Sequence, residues 1–309
     1  MKLIYAGAPA FSLPAFERIL AEGHEVLAVL TQPDRPFGRK GILTPTPLKA
    51  LALQRGVRAL DYPKVREHAE ELASLGADLM VTCAYGQLLT QQVLDAFPAG
   101  VYNIHASLLP RWRGASPIQH AILAGDAETG ITVMKTDIGL DTGDVLLTRT
   151  VPLDGTETAD SLSATLAKEG AEAIAAALPL IAAGAPALTP QRGEATLCKK
   201  IGKEQCAVDF SRPAAELSRL VRAMNPQPLA FSSLRGAAVN FYYALPEGGE
   251  AEGACGQVVR ADKAGIFIKA GEGILRVTEL QLAGGKRLRA ADLVNGRKVC
   301  VGDVFGAQR

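Results

Sequence analysis

The sequence predicts an α/β protein in two parts: a Rossmann-like, doubly wound parallel sheet followed by a small β-barrel of the oligonucleotide-binding type. Three observations predict it. The first half alternates short apolar runs with amphipathic segments, and the second half alternates short β-rich pieces with Gly turns. Between them lies a polar stretch with no sustained period. The chain has 309 residues, 48% hydrophobic and 21% charged, which is length enough for two ordinary domains and the balance of folded protein. The expected boundaries are 1–188 for the first domain, 189–205 for a linker and 206–309 for the second.

Each element has its own warrant. KLIYA reads as a strand, and LPAFERILAEG as a helix with Gly23 just past its end. The turn between them, AGAPAF, lacks the G-x-G-x-x-G spacing that lets a backbone approach a pyrophosphate, so no nicotinamide or flavin cofactor is expected. EVLAVLT is a second buried strand. TPLKALALQRG starts with Thr46 as N-cap and Pro47 at the first helical position, and stops at Gly56. VREHAEELASLG has a helical amphipathic period and closes on Gly76. ADLMVTCA and VYNIHA are strands, and SPIQHAILAG is a helix with a Ser-Pro start and a Gly stop. TGITVMKTD and DVLLTRTVPL are β runs about the turn-rich connector IGLDTG. An Ala-rich helix follows, from about Ala159 to near Gly184. The linker LTPQRGEATLCKKIGKEQ precedes one short helix, AAELSRLVRAMNP. The barrel strands are then GAAVNFYYAL, GQVVRADKAGIFIKAG, GILRVTELQL and KVCVGDVF.

Composition removes several function classes. The most apolar run, AEAIAAALPLIAAGAPAL, is interrupted by Pro179 and Gly184, so no bilayer span is expected. Met1 leads directly into a strand with no signal or transit peptide, and the expected address is the cytoplasm. Five scattered cysteines (Cys83, Cys198, Cys206, Cys255, Cys300) form no CxxC pair, and no His stands at zinc-ligand spacing. They read as buried free thiols, with no metal site. The net charge of +1 is unevenly spread: residues 1–198 carry a balance of −5 and residues 199–309 one of +6. Such a basic back half fits a polyanion partner, although solvated surfaces of this balance also arise by chance.

Chemistry concentrates in VYNIHASLLPRWRG. Asn103 and His105 are two apart on a strand, so both side chains leave one face. They stand at the carboxyl end, where open α/β sheets bind ligands. An amide and an imidazole buried there cost stability unless partners satisfy them. A carboxylate to orient the imidazole is wanted, and DIGLDTGD offers Asp137, Asp141 and Asp144. Asp141 lies at the middle of this Gly-bearing connector; Asp137 and Asp144 read as turn caps. With no Ser or Cys nucleophile in a recognisable setting, this set suits direct acyl transfer to an amine. Asn103 and His105 would stabilise an oxyanion, and Asp141 would hold the ring.

The block NIHASLLP, continued by RWRGASPIQHAILAGDAETGITVMKTDIGLDTGD, resembles the folate-dependent N-formyltransferases. AGAPAF, TQPDRPFGRKG, AYGQLL, KKIGKE and VRAMNPQP extend the resemblance over nearly the whole chain. It implies a formyltransferase-like first domain with Asn103, His105 and Asp141 catalytic, and folate contacts at Ser107, Leu108, Leu109 and Pro110. It implies 10-formyltetrahydrofolate as donor, the α-amine of methionine on initiator tRNA as acceptor, and no metal. Loop DRPFGRKG, with Arg35, Arg39 and Lys40, and the linker lysines Lys200 and Lys203 are then tRNA contacts of a monomeric enzyme. Another folate-dependent formyltransferase or a 10-formyltetrahydrofolate hydrolase is the alternative. Ala8, Phe210 and Gln227 depart from the family's pattern, in the first turn and around the second domain.

Overall fold

The computed structural model describes residues 1–38, 41–184 and 186–306. The expected contacts Arg39 and Lys40 lie outside the described residues. Two compact units emerge: the first comprises Met1–Pro117, Glu128–Pro152 and Ser163–Lys199, the second Ile118–Ala127, Leu153–Leu162 and Lys200–Arg309.

The first unit is built on a seven-stranded sheet. Its strands are β1 (Lys2–Gly7), β2 (Glu25–Leu30), β3 (Ala59–Leu60), β4 (Leu79–Cys83), β5 (Val101–His105), β6 (Glu128–Lys135) and β7 (Val145–Pro152). Their spatial order is β7-β6-β5-β4-β1-β2-β3. The first five strands run parallel. Strands β6 and β7 run antiparallel to their neighbours, so the expected parallel sheet is in fact mixed. The connector between β6 and β7 is short and carries no helix, which permits only a hairpin between them.

Every residue of β4 is buried, and in β1 only Lys2 is exposed. Strands covered on both faces in this way read as continuous apolar runs in sequence. Helix Leu13–Ala21 buries Ala15, Phe16 and Ile19, and helix Pro47–Gln54 buries Leu48 and Ala52. Thr46 caps the latter, its hydroxyl accepting from the Lys49 amide at 3.2 Å. Gly23, Gly56 and Gly76 all have positive φ, between 68° and 77°, as residues just past a helix end require. The segment expected as one helix over VREHAEELASLG is divided. A 3-10 turn at Val65–Glu67 is followed by helix Ala69–Ser74, and between them His68 stacks on Tyr62 with ring centroids 3.8 Å apart.

The second unit holds β8 (Ala230–Leu234), β9 (Ala237–Glu247), β10 (Val258–Asp262), β11 (Gly265–Lys269) and β12 (Ile274–Leu282). All pair antiparallel, in the order β8-β9-β12-β11-β10. The segment KVCVGDVF is not a strand. It contributes two adjacent bridges, Val304 to Gln257 beside β10 and Phe305 to Leu234 in β8. One short segment thus joins both edges and closes the sheet into a barrel, which removes the open edges. Phe210, Phe241 and Phe305 fill the interior with ring centroids 5.7–6.3 Å apart. Helix Ala214–Ala223 buries Leu217, Leu220 and Val221.

The cysteines need one correction. Cys83, Cys198 and Cys206 are buried free thiols, but Cys255 and Cys300 are exposed. Both lie in irregular turns near the barrel closure, where the backbone runs on the surface.

Candidate active site

Strand β5 ends on His105, which the antiparallel β6 holds in register opposite Thr132. The imidazole is 6% exposed. Its Nε2 lies 2.9 Å from the Trp112 carbonyl oxygen, and its Nδ1 faces Asp141 Oδ2 at 3.6 Å. Both ring nitrogens therefore meet an oxygen, and a proton on either one has an acceptor to face. Two residues earlier, Asn103 is half-buried on the same strand face. Its Oδ1 accepts from the Thr82 hydroxyl at 2.8 Å, which orients the amide. The amide nitrogen, with two N–H donors, carries no bond among the described residues.

Asp141 reaches His105 from the connector between β6 and β7. Its φ is +50°, a left-handed conformation that a non-Gly residue holds only when its surroundings impose it. They do so at several points. Its carboxylate accepts from the Gly114 amide at 2.8 Å, and its carbonyl accepts from Gln191 Nε2 at 2.9 Å. Asp137 closes the turn behind it, accepting from the Gly139 amide and the Thr142 hydroxyl at 3.1 and 2.6 Å.

The loop after β5 turns on a single hydroxyl. Thr132 Oγ1 donates to the Ser107 carbonyl at 2.7 Å and accepts from the Leu109 amide at 3.1 Å. Ser107 is fully buried and its own hydroxyl donates to the Arg111 carbonyl at 2.6 Å. Ahead of the exposed Arg111 and half-buried Trp112, the loop leaves the faces of Leu108 and Pro110 partly accessible, while Leu109 turns inward. The Ser107 proton is thus committed to this turn, while its oxygen keeps lone pairs that can accept. Cys198 shares a carbonyl with His105: its Sγ donates to the Trp112 oxygen at 3.3 Å. Burial first, and the Asp141 charge as a lesser cause, hold that thiol above its ordinary range, so it stays protonated. No side chain in the site is set up for covalent catalysis. The arrangement offers instead an amide donor and an imidazole at one strand end, with a carboxylate behind the ring.

Sequence reasoning therefore brought Asn103, His105 and Asp141 to one place, but missed their supports. Thr82 carried a signal, as a polar residue in the apolar run ADLMVTCA beside Asn103 in the parallel register. Gln191, in a polar stretch full of such residues, carried none. The linker is also less plain than expected. Its Leu197–Cys198 pairs with Arg113–Gly114, and Thr196 Oγ1 accepts from the Trp112 amide at 2.8 Å. Arg113 binds the Gln191 amide oxygen through Nε and Nη2, at 3.0 and 2.7 Å. Arg35, Lys200 and Lys203 are exposed. Among the described residues no cluster of His, Cys, Asp and Glu is placed to hold a metal, and no helix is long and apolar enough to cross a membrane.

Comparison with known proteins narrows the chemistry. A family model described as formyl transferase matches residues 2–178, and one described as formyl transferase, C-terminal domain, matches residues 200–298. The chain is 47% identical over 309 residues to the methionyl-tRNA formyltransferase of Chromobacterium violaceum, covering 99% of this chain and 100% of that one. It is 46% identical to that of Ectopseudomonas mendocina, covering 96% and 95%. Among solved structures, HypX from Aquifex aeolicus in complex with tetrahydrofolic acid superposes with a TM-score of 0.68 at 21% identity. That match covers 100% of this chain but only 50% of HypX. A methionyl-tRNA formyltransferase from Clostridium thermocellum gives 0.57 at 18% identity, covering 81% of this chain and 95% of that one. The structural likenesses concern the fold alone.

Proposed function

The chain belongs to the formyl transferase family, and from that premise we infer that it moves a formyl group from 10-formyltetrahydrofolate to the α-amine of methionine on initiator tRNA. Formylmethionyl-tRNA and tetrahydrofolate are the products, and the role is in translation initiation. The observation that carries the reading is the end-to-end identity of 47% to a methionyl-tRNA formyltransferase. The gathering of Asn103, His105 and Asp141 at one strand end supports it chemically.

The folate supplies an activated formyl group. The residues act on what the amine's attack creates: a carbon–nitrogen bond forms, the bond to the folate nitrogen breaks, and a proton passes from the incoming amine to the departing nitrogen. The Asn103 amide, pinned by Thr82, donates to the oxygen on which negative charge develops. His105 stabilises the same charge and takes part in the proton's passage. Asp141 keeps the ring facing the reaction and stabilises it when charged. One well-placed oxyanion donor lowers such a barrier by roughly 3 kcal/mol. The accessible faces of Leu108 and Pro110, with the backbone around Ser107 and Leu109, form the folate side of the site.

The same reading divides the chain into a catalytic domain at 1–188, a linker at 189–205 and a tRNA-binding barrel at 206–309. Arg35, Arg39 and Lys40 belong to a loop that recognises the tRNA acceptor end, Lys200 and Lys203 meet tRNA phosphates, and the protein works as a cytoplasmic monomer. The test is one reaction with 10-formyltetrahydrofolate and methionine-charged initiator tRNA, followed for both products. Formylmethionyl-tRNA and tetrahydrofolate should appear together, and only with charged tRNA. Tetrahydrofolate without a formylated amine would replace the reading with a hydrolase, and formylation of another amine would replace the acceptor.

A further inference from the structure

Asp141 poses a physical question that its own bonds do not answer. A left-handed φ of +50° at a non-Gly residue is costly, and around it the described bonds of the connector run within itself, to Gly114, and at its two ends to Val101 and Lys135. The remaining restraint comes from far along the sequence. Gln191 donates through Nε2 to two carbonyls of the connector, Asp141 at 2.9 Å and Gly143 at 2.8 Å. Its Oε1 is held in turn by Arg113, through Nε at 3.0 Å and Nη2 at 2.7 Å. Every polar atom of this one amide is committed: two acceptors on the connector and two donors on the segment that follows β5.

Both ends of that bridge lead to His105. The Asp141 carboxylate faces Nδ1, and Trp112, the neighbour of Arg113, supplies the carbonyl at Nε2. The segment bearing Gln191 is itself anchored to the same place: the Arg113 amide donates to the Thr196 carbonyl at 2.9 Å, and the Ala115 amide to the Cys198 carbonyl at 2.9 Å. We propose that Gln191 is a positioning residue, whose side-chain amide fixes the distance between Asp141 and the loop after β5 and thereby the pose of His105. The proposal rests on the catalytic reading given above.

The chemistry of the amide specifies the test. Gln191→Met keeps the side chain's length and bulk but makes none of the four bonds. Gln191→Glu keeps the acceptor for Arg113 yet turns an oxygen toward the two carbonyls, where a donor is needed. Misplacement of a catalytic group by about 1 Å costs on the order of 100-fold in rate. Both variants should therefore lose between about tenfold and 100-fold in kcat, keep KM for both substrates within about twofold, and keep their melting temperature within a few degrees. Amide hydrogen exchange over residues 137–144 should quicken in both, with the rest of the first unit unchanged.

Exchange reads the clamp whatever reaction the enzyme runs. If wild type does not formylate methionyl-tRNA but exchange quickens as described, the reading of function fails while the clamp stands. If wild type is active and Gln191→Met retains more than half of kcat, the positioning role is overturned. A loss confined to KM, or accompanied by general unfolding, overturns it too, since that is the behaviour of a binding or packing residue.

Discussion

At the scale of single residues, the site depends on groups that hold other groups in place. Asn103 has a symmetric-looking amide, and among the described residues the Thr82 hydroxyl is what distinguishes its two ends. Thr82→Val keeps the shape and removes that donor, so the amide nitrogen no longer has a fixed direction. We expect Thr82→Val to lower kcat by about tenfold while leaving folate affinity unchanged, whereas Asn103→Ala should cost on the order of 100- to 1,000-fold. Steady-state kinetics with separate titration of each substrate checks both; equal losses in the two variants would show that Thr82 does more than orient. His105→Ala should retain binding of both substrates and lose most turnover. These contacts also show what a sequence can reveal. Two polar residues at i and i+2 on a buried strand demand partners, so Asn103 and His105 stood out, and Asp141 followed from the need for a carboxylate. The Ser107 hydroxyl donates to a carbonyl four residues on, which leaves only its acceptor capacity for a ligand. That is a local turn bond which no periodicity announces.

Among elements, the connector between β6 and β7 has little room for change. A Cβ built on Gly143 would lie 1.8 Å from the Lys135 carbonyl oxygen, which itself belongs to the end of β6. Gly143→Ala must therefore push the two arms of the hairpin apart and carry Asp141 away from His105. The expected result is loss of at least about tenfold in kcat together with a lower melting temperature, in contrast to the Gln191 variants. Strands and helices of the first unit were legible because burial on both faces leaves continuous apolar runs, and helix ends are marked by Thr46 and by glycines with positive φ. What stayed hidden were pairings between distant segments. The reversal of β6 beside β5, the bridge from Leu197–Cys198 to Arg113–Gly114, and the barrel closure by Val304 and Phe305 each depend on partners more than a few residues away. The buried strands also set thiol reactivity. Burial pushes the Cys83 thiol up to about 12, because the thiolate would be desolvated there. At pH 8 only Cys255 and Cys300 should react with a thiol reagent in the folded protein. The three buried thiols should follow only on unfolding, as mass spectrometry of the labelled peptides would show; early labelling of Cys83 would contradict its place in β4.

Across the whole molecule, charge is segregated along the chain rather than large in total. The balance of −5 over residues 1–198 and +6 over residues 199–309 nearly cancels, so net charge alone hides it. Much of the basic charge after residue 199 is already matched: Arg212 pairs with Glu216, Arg235 with Asp303 and Arg260 with Asp262. Lys200 and Lys203 differ, being exposed and without an ion pair among the described residues. Unpaired surface cations bind phosphates by releasing counterions, an effect that carries no base information and weakens steeply with salt. If these two lysines contact the tRNA backbone, each should contribute close to one unit to the slope of log affinity against log salt. The double variant Lys200→Ala, Lys203→Ala should then bind methionyl-tRNA more weakly at low salt and show a slope shallower by about two. Its preference for initiator over elongator tRNA should be unaltered, because phosphates are common to both. Binding titrations at several salt concentrations measure slope and preference together. An unchanged slope would move the phosphate contacts elsewhere on the basic half, and a changed preference would mean that these lysines read tRNA identity rather than charge.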